Sequence, residues 1–335
     1  MSKVAINGLG RIGRAALKIV LDTPQLELVA VNDIVPVENI AYLLKYDTVY
    51  GKYGREVKSD GQDLNIAGKR YHCYHEKDPS RLPWISLGVD IVLECTGVFA
   101  KKEDLAKHIQ AGARYVILSA PAKSGGVATV IHGVNPPDSG FPEIISCASC
   151  TTNSITPVIE IIGRRIGVEK AIMTTIHAYT ASQSLVDAPN KNYRRGRAAG
   201  ASLIPASTGA AIATTMVLPQ YKGLFDGVAV RVPVTVGSIS DITMLTKRQT
   251  SVEEVNQIFR EEASSDRYRG ILAVTDDPIV SADIIGDAHA SVVDLGLTRV
   301  VDGNLVKVMS WYDNEWGYTH QLIREAVEIA QTITK

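Results

Sequence analysis

Cys150 is the residue of this chain best placed for covalent chemistry. It lies in Ser146-Cys147-Ala148-Ser149-Cys150-Thr151-Thr152-Asn153, after an apolar strand pattern at 143–145 and ahead of an apolar helical pattern at 155–162. Ser149 has the residue type of a helix N-cap, which places Cys150 in the first helical turn. There the unpaired backbone N–H groups and the helix dipole lower a thiol pKa and can hold an oxyanion. Pro157 should kink that helix or delay its start. Other readings of Cys147-x-x-Cys150 stand beside this one. A redox pair lacks a thioredoxin-like setting, and half a zinc site lacks a second pair because Cys73 and Cys95 stand alone. A buried structural thiol is the expectation for Cys147. A nucleophile also needs a base, drawn from His72, His75, His108, His132, His177, His289 and His320. His177 ends a strand pattern at 171–176, where sheets present catalytic groups, but spacing alone does not single it out.

A second motif binds rather than reacts. Asn7-Gly8-Leu9-Gly10-Arg11-Ile12-Gly13-Arg14 contains G-x-G-x-x-G after a strand pattern and at the opening of a helical one. Gly8, Gly10 and Gly13 permit a tight turn and close backbone approach, and the helix N-terminus offers N–H groups and positive potential to a pyrophosphate. Asp33 follows Gly13 by 20 residues and ends the next strand, where an acid binds adenosine ribose hydroxyls and repels a 2′-phosphate. The expected cofactor is therefore NAD.

These groups need a scaffold. Strand patterns at 3–7, 26–32, 89–95, 115–119 and 128–134 alternate with helical ones at 11–21 and 101–111. That alternation predicts an α/β Rossmann-type dinucleotide-binding domain over 1–149. Long β-branched runs at 170–177, 227–236, 238–246, 290–294 and 305–312 predict an α+β catalytic domain over 150–316 with a mixed or antiparallel sheet. The helical segment at the C-terminus, 317–335, is expected to dock back on the first domain. Residues 178–201 form a polar, aperiodic loop of a length that is usually functional. At 45% hydrophobic and 21% charged, the 335 residues have an ordinary globular composition for two domains. The net charge of −1 gives no global field for nucleic acid or anionic membrane, so neither is an expected partner. No export signal or membrane-crossing run is read, and four cysteines suit a reducing, cytoplasmic setting.

The residues around Cys150 resemble the active-site signature of the phosphorylating glyceraldehyde-3-phosphate dehydrogenases. The resemblance extends to Leu43-Leu44-Lys45-Tyr46-Asp47, Ser119-Ala120-Pro121-Ala122-Lys123, Ser207-Thr208-Gly209-Ala210-Ala211, Arg231-Val232-Pro233 and Trp311-Tyr312-Asp313-Asn314-Glu315-Trp316-Gly317-Tyr318, collinear along nearly the whole chain. It implies Cys150 as nucleophile and His177 as its partner. Thr180 and Arg231 would hold the phosphate of D-glyceraldehyde 3-phosphate. Ser149, Thr151, Thr208, Gly209 and Arg195 would hold attacking inorganic phosphate. Arg11, Ile12, Asp33, Lys77, Ser119 and Asn314 would contact NAD, with Asn314 on the nicotinamide carboxamide. The implied chemistry is oxidation through a Cys150 thioester that phosphate cleaves to 1,3-bisphosphoglycerate, in a homotetramer whose loop 178–201 approaches a neighbour's cofactor site. Without the resemblance, Arg194-Arg195-Gly196-Arg197 reads as a solvated face or a nucleic-acid patch.

The chain departs from the family pattern at four places. Ala188-Pro189 mixes the Leu-Pro of NAD-specific members with the Ala-Ser of photosynthetic NADP-using forms. Ala181-Ser182-Gln183-Ser184 lacks the usual acid and arginine of that run, Lys77 replaces a frequent arginine, and Cys147 replaces a common asparagine. Two alternatives follow: an NADP-linked or erythrose-4-phosphate dehydrogenase of the same family, and a dinucleotide sensor or RNA-binding protein that kept the fold. Cys150, His177, Arg195 and Arg231 together speak against the second.

Overall fold

A computed structural model describes residues 1–137 and 140–333. Two compact units emerge: Met1–Val130, Pro137–Ala148 and the segment from Thr319 form the first, and Ile131–Pro136 with Ser149–Tyr318 form the second. Ile131–Pro136 belongs to the second unit because Arg267 holds the carbonyls of Gly133 and Val134 at 2.7 and 3.1 Å. The boundaries read from sequence did not include that exchange.

In the first unit, strand Ser2–Asn7 is central, paired in parallel with Leu26–Asn32 on one side and Ile91–Glu94 on the other. Tyr115–Leu118, Ile144–Ser146 and Ala128–Thr129 extend the sheet on the Ile91 side, all parallel. On the other side Lys69–Tyr74 pairs in parallel with Leu26–Asn32 and begins an antiparallel meander with Asp63–Ile66 and Val57–Asp60. Val4, Ala5, Ile6, Val92 and Leu93 have no exposure, as expected for a sheet covered on both faces. The strand order reverses at Ser2–Asn7, and its carboxyl end is the crevice where such sheets bind ligands. The 128–134 strand pattern shortens to Ala128–Thr129, since Val130 and Ile131 are buried in the turn that follows.

The second unit is built on an eight-stranded mixed sheet. Its order is Ile204–Ser207, Phe225–Val232, Val168–Ala178, Ser238–Thr246, Leu305–Tyr312, Ser291–Asp294 and Leu272–Thr275, with Arg299–Val301 added beside Leu305–Tyr312. Two pairings are parallel, Val168–Ala178 with Phe225–Val232 and Leu272–Thr275 with Ser291–Asp294; the others are antiparallel. Period-two alternation sends Met173, Thr175 and His177 inward and leaves Ile172 on the opposite, exposed face. Helix Cys150–Arg165 packs on the inner face, burying Ile155, Val158, Ile159, Ile161 and Ile162. It runs unbroken through Pro157, contrary to the expected kink or late start. The residues around Pro157 are fully buried, and the Thr156 hydroxyl adds a bond to the Thr152 carbonyl at 2.6 Å. Helices Ala210–Val217 and Val252–Ala263 pack against it.

Candidate active site

The turn into helix Cys150–Arg165 is sharp. Ala148 adopts φ +52°, a left-handed conformation that costs a non-glycine residue about 1–3 kcal/mol and recurs at functional sites. Its N–H donates to Ser146 Oγ at 3.0 Å. Ser149 caps the helix, its Oγ accepting from the Thr152 N–H at 3.1 Å, so Cys150 is the first helical residue.

Cys150 Sγ lies 3.4 Å from His177 Nε2. His177 is near the end of Val168–Ala178, and the parallel register sets it beside Arg231 on Phe225–Val232. Arg231 Nη1 is 2.7 Å from His177 Nδ1 and 2.9 Å from the Ala178 carbonyl, while Nδ1 is itself 2.7 Å from that carbonyl. A guanidinium only donates, so the bond from Arg231 requires an unprotonated Nδ1. The Ala178 carbonyl, equally close, asks instead for a proton on Nδ1, which would leave the Nε2 lone pair facing the sulfur. Tyr312 supports the pair. Its ring meets that of His177 edge-on at 6.0 Å, and its hydroxyl bonds Thr151 Oγ1 at 2.9 Å and Thr175 Oγ1 at 2.8 Å. The sequence reading gave Tyr312 no role, although it stands in a quoted motif.

The electrostatics correct one expectation. Burial pushes the Cys150 thiol above its ordinary value, and opposition from Arg231, the Thr151 hydroxyl and the backbone N–H groups of Thr151 and Cys150 does not outweigh it. Burial first, and Arg231 second, depress His177 to about 3 against weaker support from the Ala178 carbonyl. Burial of the sulfur therefore works against what the helix start and Arg231 contribute there. Cys150 is still distinct from its three fellow cysteines. Burial raises Cys147 well above the ordinary value and Cys73 and Cys95 to about 12, and none of these has a cation among the groups acting on it. None of the four is in a disulfide.

The oxyanion-binding candidates fall into three groups. Ser149 and Thr151 flank the sulfur on the helix start. Thr180 and Arg195 are joined through a residue that the sequence reading marked only as a departure: Ser182 Oγ lies 2.9 Å from Thr180 Oγ1 and accepts from Arg195 Nη1 at 3.2 Å. Thr208 Oγ1 accepts from the Ala210 N–H at 3.2 Å, and Gly209 is the N-cap of helix Ala210–Val217. That helix meets the first through Thr214 and Thr156, 3.0 Å apart, and Thr208 and Cys150 each stand six residues ahead of the contact.

In the first unit a cavity of about 390 Å³ opens at the carboxyl end of Ser2–Asn7, lined among others by Gly8, Gly10, Asp33, Lys77, Thr96 and Phe99. A Cβ on Gly8 would lie 2.7 Å from Thr96 backbone, and one on Gly13 would lie 1.8 Å from the Gly8 carbonyl oxygen, so the turn must be glycine to close on its helix. A Cβ on Gly10 would meet nothing within 4 Å, which leaves open space where a ligand backbone can approach. Asp33 Oδ2 accepts from the Leu9 N–H at 2.6 Å and Oδ1 from the Val35 N–H at 3.0 Å, fixing the carboxylate beside the turn. An open glycine turn, a fixed acid and Lys77 on one cavity fit the adenosine end of a dinucleotide. Arg11 and Ile12 begin the helix, outside the cavity lining, with Arg11 paired to Asp47. Ser119 also lies outside the lining, where its hydroxyl bonds Cys95. Asn314, in the second unit, accepts through Oδ1 from Ser238 Oγ at 2.9 Å and Gly237 N at 3.2 Å, which fixes the orientation of its amide.

Comparison with known proteins accounts for both halves. Residues 2–102 match the family described as glyceraldehyde 3-phosphate dehydrogenase, NAD binding domain, and residues 149–314 match its C-terminal domain. The chain is 44% identical over 334 residues to glyceraldehyde-3-phosphate dehydrogenase of Zymomonas mobilis, covering 99% of each chain. It is 45% identical over 330 residues to that of Geobacillus stearothermophilus, covering 98% of each, and 44% identical to glyceraldehyde-3-phosphate dehydrogenase 1 of Bacillus subtilis over 98% of each. A first unit built to bind NAD, joined to a second that carries a histidine-paired cysteine, places this chain in the glyceraldehyde 3-phosphate dehydrogenase family.

Proposed function

We propose that the chain oxidises D-glyceraldehyde 3-phosphate with NAD and inorganic phosphate to 1,3-bisphosphoglycerate, through a thioester on Cys150. The observation that carries this reading is the 3.4 Å approach of Cys150 Sγ to His177 Nε2 at a helix N-terminus. His177 takes the thiol proton at Nε2, and the thiolate adds to the aldehyde carbon. The oxyanion so formed faces the Cys150 backbone N–H and the Nε2 proton, which it takes up as a hydroxyl. NAD, when bound, supplies the hydride acceptor. His177 Nε2 removes the hydroxyl proton as the carbon is oxidised, and the thioester forms on sulfur. Phosphate oxygen attacks the thioester carbonyl and the thiolate leaves, so the oxidation energy remains in an acyl phosphate.

The substrate phosphate is assigned to Thr180 and Arg231, and the attacking phosphate to Ser149, Thr151, Thr208, Gly209 and Arg195. Both assignments rest on the suitability of guanidinium, hydroxyl and N–H donors for oxyanions. Gly8, Gly10, Gly13, Arg11, Ile12, Asp33, Lys77, Ser119 and Asn314 are assigned to the cofactor. The Asp33 carboxylate favours NAD over NADP. A two-domain division at 149/150 and cytoplasmic residence belong to the same proposal. So does a homotetramer, supported by apolar residues exposed on the second sheet and its flank, among them Ile172 at 61%, Val228 at 52% and Met216 at 66%. Among the described residues no helix is long and apolar enough to cross a membrane.

Initial rates with NAD⁺ and NADP⁺, each with and without inorganic phosphate, test this reading. Steady turnover should require phosphate and favour NAD⁺. Phosphate-independent turnover, or equal kcat/KM for the two cofactors, would overturn it.

A further inference from the structure

A buried chain of hydrogen bonds runs beneath the dinucleotide cavity. Its centre is Glu94, at the end of strand Ile91–Glu94, and its outer end is His108, on helix Lys102–Gln110. Neither residue has any exposure and neither lines the cavity. The indole N–H of Trp84 can only donate, and it does so to His108 Nδ1 at 3.0 Å. The ring proton is therefore on Nε2, 3.1 Å from Glu94 Oε2. That oxygen also accepts from Asn7 Nδ2 at 2.6 Å, while Oε1 accepts from the Thr96 N–H at 2.8 Å and from the Thr96 hydroxyl. Two donors on each oxygen fix the plane of the carboxylate. Beyond Asn7 the chain continues: its Oδ1 accepts from Asn32 Nδ2 at 2.7 Å, and Asn32 Oδ1 accepts from the Glu76 N–H at 2.9 Å. On the other branch, Thr96 Oγ1 accepts from the Val98 N–H at 3.1 Å. Asn7, Asn32, Glu76 and Thr96 stand at or just beyond the carboxyl ends of four different strands, and all four line the cavity. Four walls thus hang on one carboxylate.

We propose that Glu94 and His108 are positioning residues for the cofactor, setting the affinity for the adenosine half of NAD without touching it. This rests on the assignment of the cavity to that half. A carboxylate that loses one of its four donors turns toward those that remain, and these are the groups that hold the walls. Thr96 backbone lies against the glycine turn, where a Cβ on Gly8 would come within 2.7 Å of it, so a shift of Thr96 reaches the turn as well. Loosened walls must be ordered by the ligand, and that ordering is subtracted from its binding free energy. Once NAD is bound the walls are in place, and the nicotinamide is presented as before. The effect therefore belongs to the dissociation constant and not to kcat.

Calorimetric titration of full-length, nucleotide-free enzyme with NAD⁺ and with ADP-ribose, which lacks the nicotinamide, tests this. In His108→Leu both Kd values should rise by about tenfold, the worth of one net hydrogen bond carried to the site. Glycerol 3-phosphate, which has no nucleotide, should bind as it does to wild type, and kcat at saturating NAD⁺ should stay within a few-fold. His108→Gln should restore most of the nucleotide affinity, because an amide offers Glu94 a donor and Trp84 an acceptor, as the imidazole does. A side chain that only fills space would show no such recovery, since leucine fills it too. Glu94→Gln, measured beside these in case leucine prevents folding, keeps the size but offers one acceptor oxygen in place of two, and should weaken NAD⁺ and ADP-ribose alike. Wild-type nucleotide affinity in folded His108→Leu or Glu94→Gln, or a His108→Gln that binds no tighter than His108→Leu, overturns the inference. So does an equal loss for glycerol 3-phosphate, which would make the effect general. Wild-type enzyme that binds neither nucleotide overturns the assignment of the cavity, and the inference falls with it.

Discussion

His108 and His177 are both buried histidines, with 0% and 3% exposure, yet their surroundings are opposites. In the first unit, Trp84 Nε1 donates to His108 Nδ1 at 3.0 Å, which places the ring proton on Nε2 and directs it to Glu94 Oε2 at 3.1 Å. The Glu94 carboxylate is completed by Asn7 Nδ2 at 2.6 Å and by the Thr96 N–H at 2.8 Å and hydroxyl. Each ring nitrogen has a partner of the right sign, and the further neighbour of Nε2, Asn7 Nδ2 at 3.5 Å, gives its shorter bond to Glu94. Through Asn7, Asn32 and Glu76 it also ties together segments that line the dinucleotide cavity. In the second unit, Nδ1 of His177 has one partner too many and Nε2 faces a reactive sulfur. A fully satisfied imidazole holds a fold together, while a contested one can change state. That difference separates the structural histidine from the catalytic one, where burial alone would rank them equal.

Substitution should separate them by which quantity fails. The largest effects belong to the reacting pair. Cys150→Ser should lower kcat by on the order of 10⁴-fold or more, and His177→Asn by about 10²–10⁴-fold, with melting temperatures close to wild type. Cys147→Ser should leave turnover nearly unchanged. Steady-state kinetics beside thermal melts will decide, and near-normal turnover in either of the first two variants would mean the wrong sulfur or the wrong base. His108→Leu should do the reverse. It strands the Trp84 N–H and one bond of the buried Glu94 carboxylate, costing about 3 kcal/mol in denaturant unfolding while kcat with bound cofactor stays within a few-fold. A loss of kcat with stability intact would erase the distinction.

Acid sharpens the contrast further. His177 holds near 3 when folded against 6.5 for a free imidazole. Between those values the unfolded chain binds a proton that the folded one refuses, so stability falls as pH drops, by up to about 1.4 kcal/mol per pH unit. The penalty is absent above 6.5 and complete near 3. Melting curves between pH 6.5 and 4 should therefore fall less steeply for His177→Asn than for wild type, and identical slopes would contradict the buried neutral ring. The smallest expected effect lies at Ser182. Its hydroxyl bridges Thr180 and Arg195 without charge. Ser182→Asp would give Arg195 a competing carboxylate and raise the KM for phosphate about threefold to fivefold, as suits a partly exposed ion pair. An unchanged KM would detach Arg195 from phosphate.

The dinucleotide turn and the cysteine helix were legible because their information is local. The spacing of Gly8, Gly10, Gly13 and Asp33 along one strand–turn–helix, and the capping type of Ser149, need no distant partner. His177 could not be chosen from seven histidines by spacing, since its pairing with Arg231 depends on the register of two parallel strands 54 residues apart in sequence. Only the family resemblance brought the two together. The burial acting on Cys150 was not legible for a related reason: a helix terminus is visible in sequence, but the burial that opposes it arises from the packed sheet. Helices Val37–Lys45 and Val252–Ala263 and the meander Val57–Tyr74 went unread, short or polar segments whose form is set by the surfaces they cover. Ser182 could have been found by asking what a hydroxyl does between Thr180 and Arg195 once the usual acid is gone.

The most direct test is a single turnover with NAD⁺ and D-glyceraldehyde 3-phosphate in the absence of inorganic phosphate, followed by absorbance and by mass spectrometry of the digested enzyme. The expected result is a burst of NADH approaching one equivalent per chain, a 3-phosphoglyceroyl adduct on the peptide sulfur of Cys150, and a stall that added phosphate relieves. Steady turnover without phosphate, or an adduct on Cys147 or on no cysteine, would contradict a phosphorolytic thioester on Cys150.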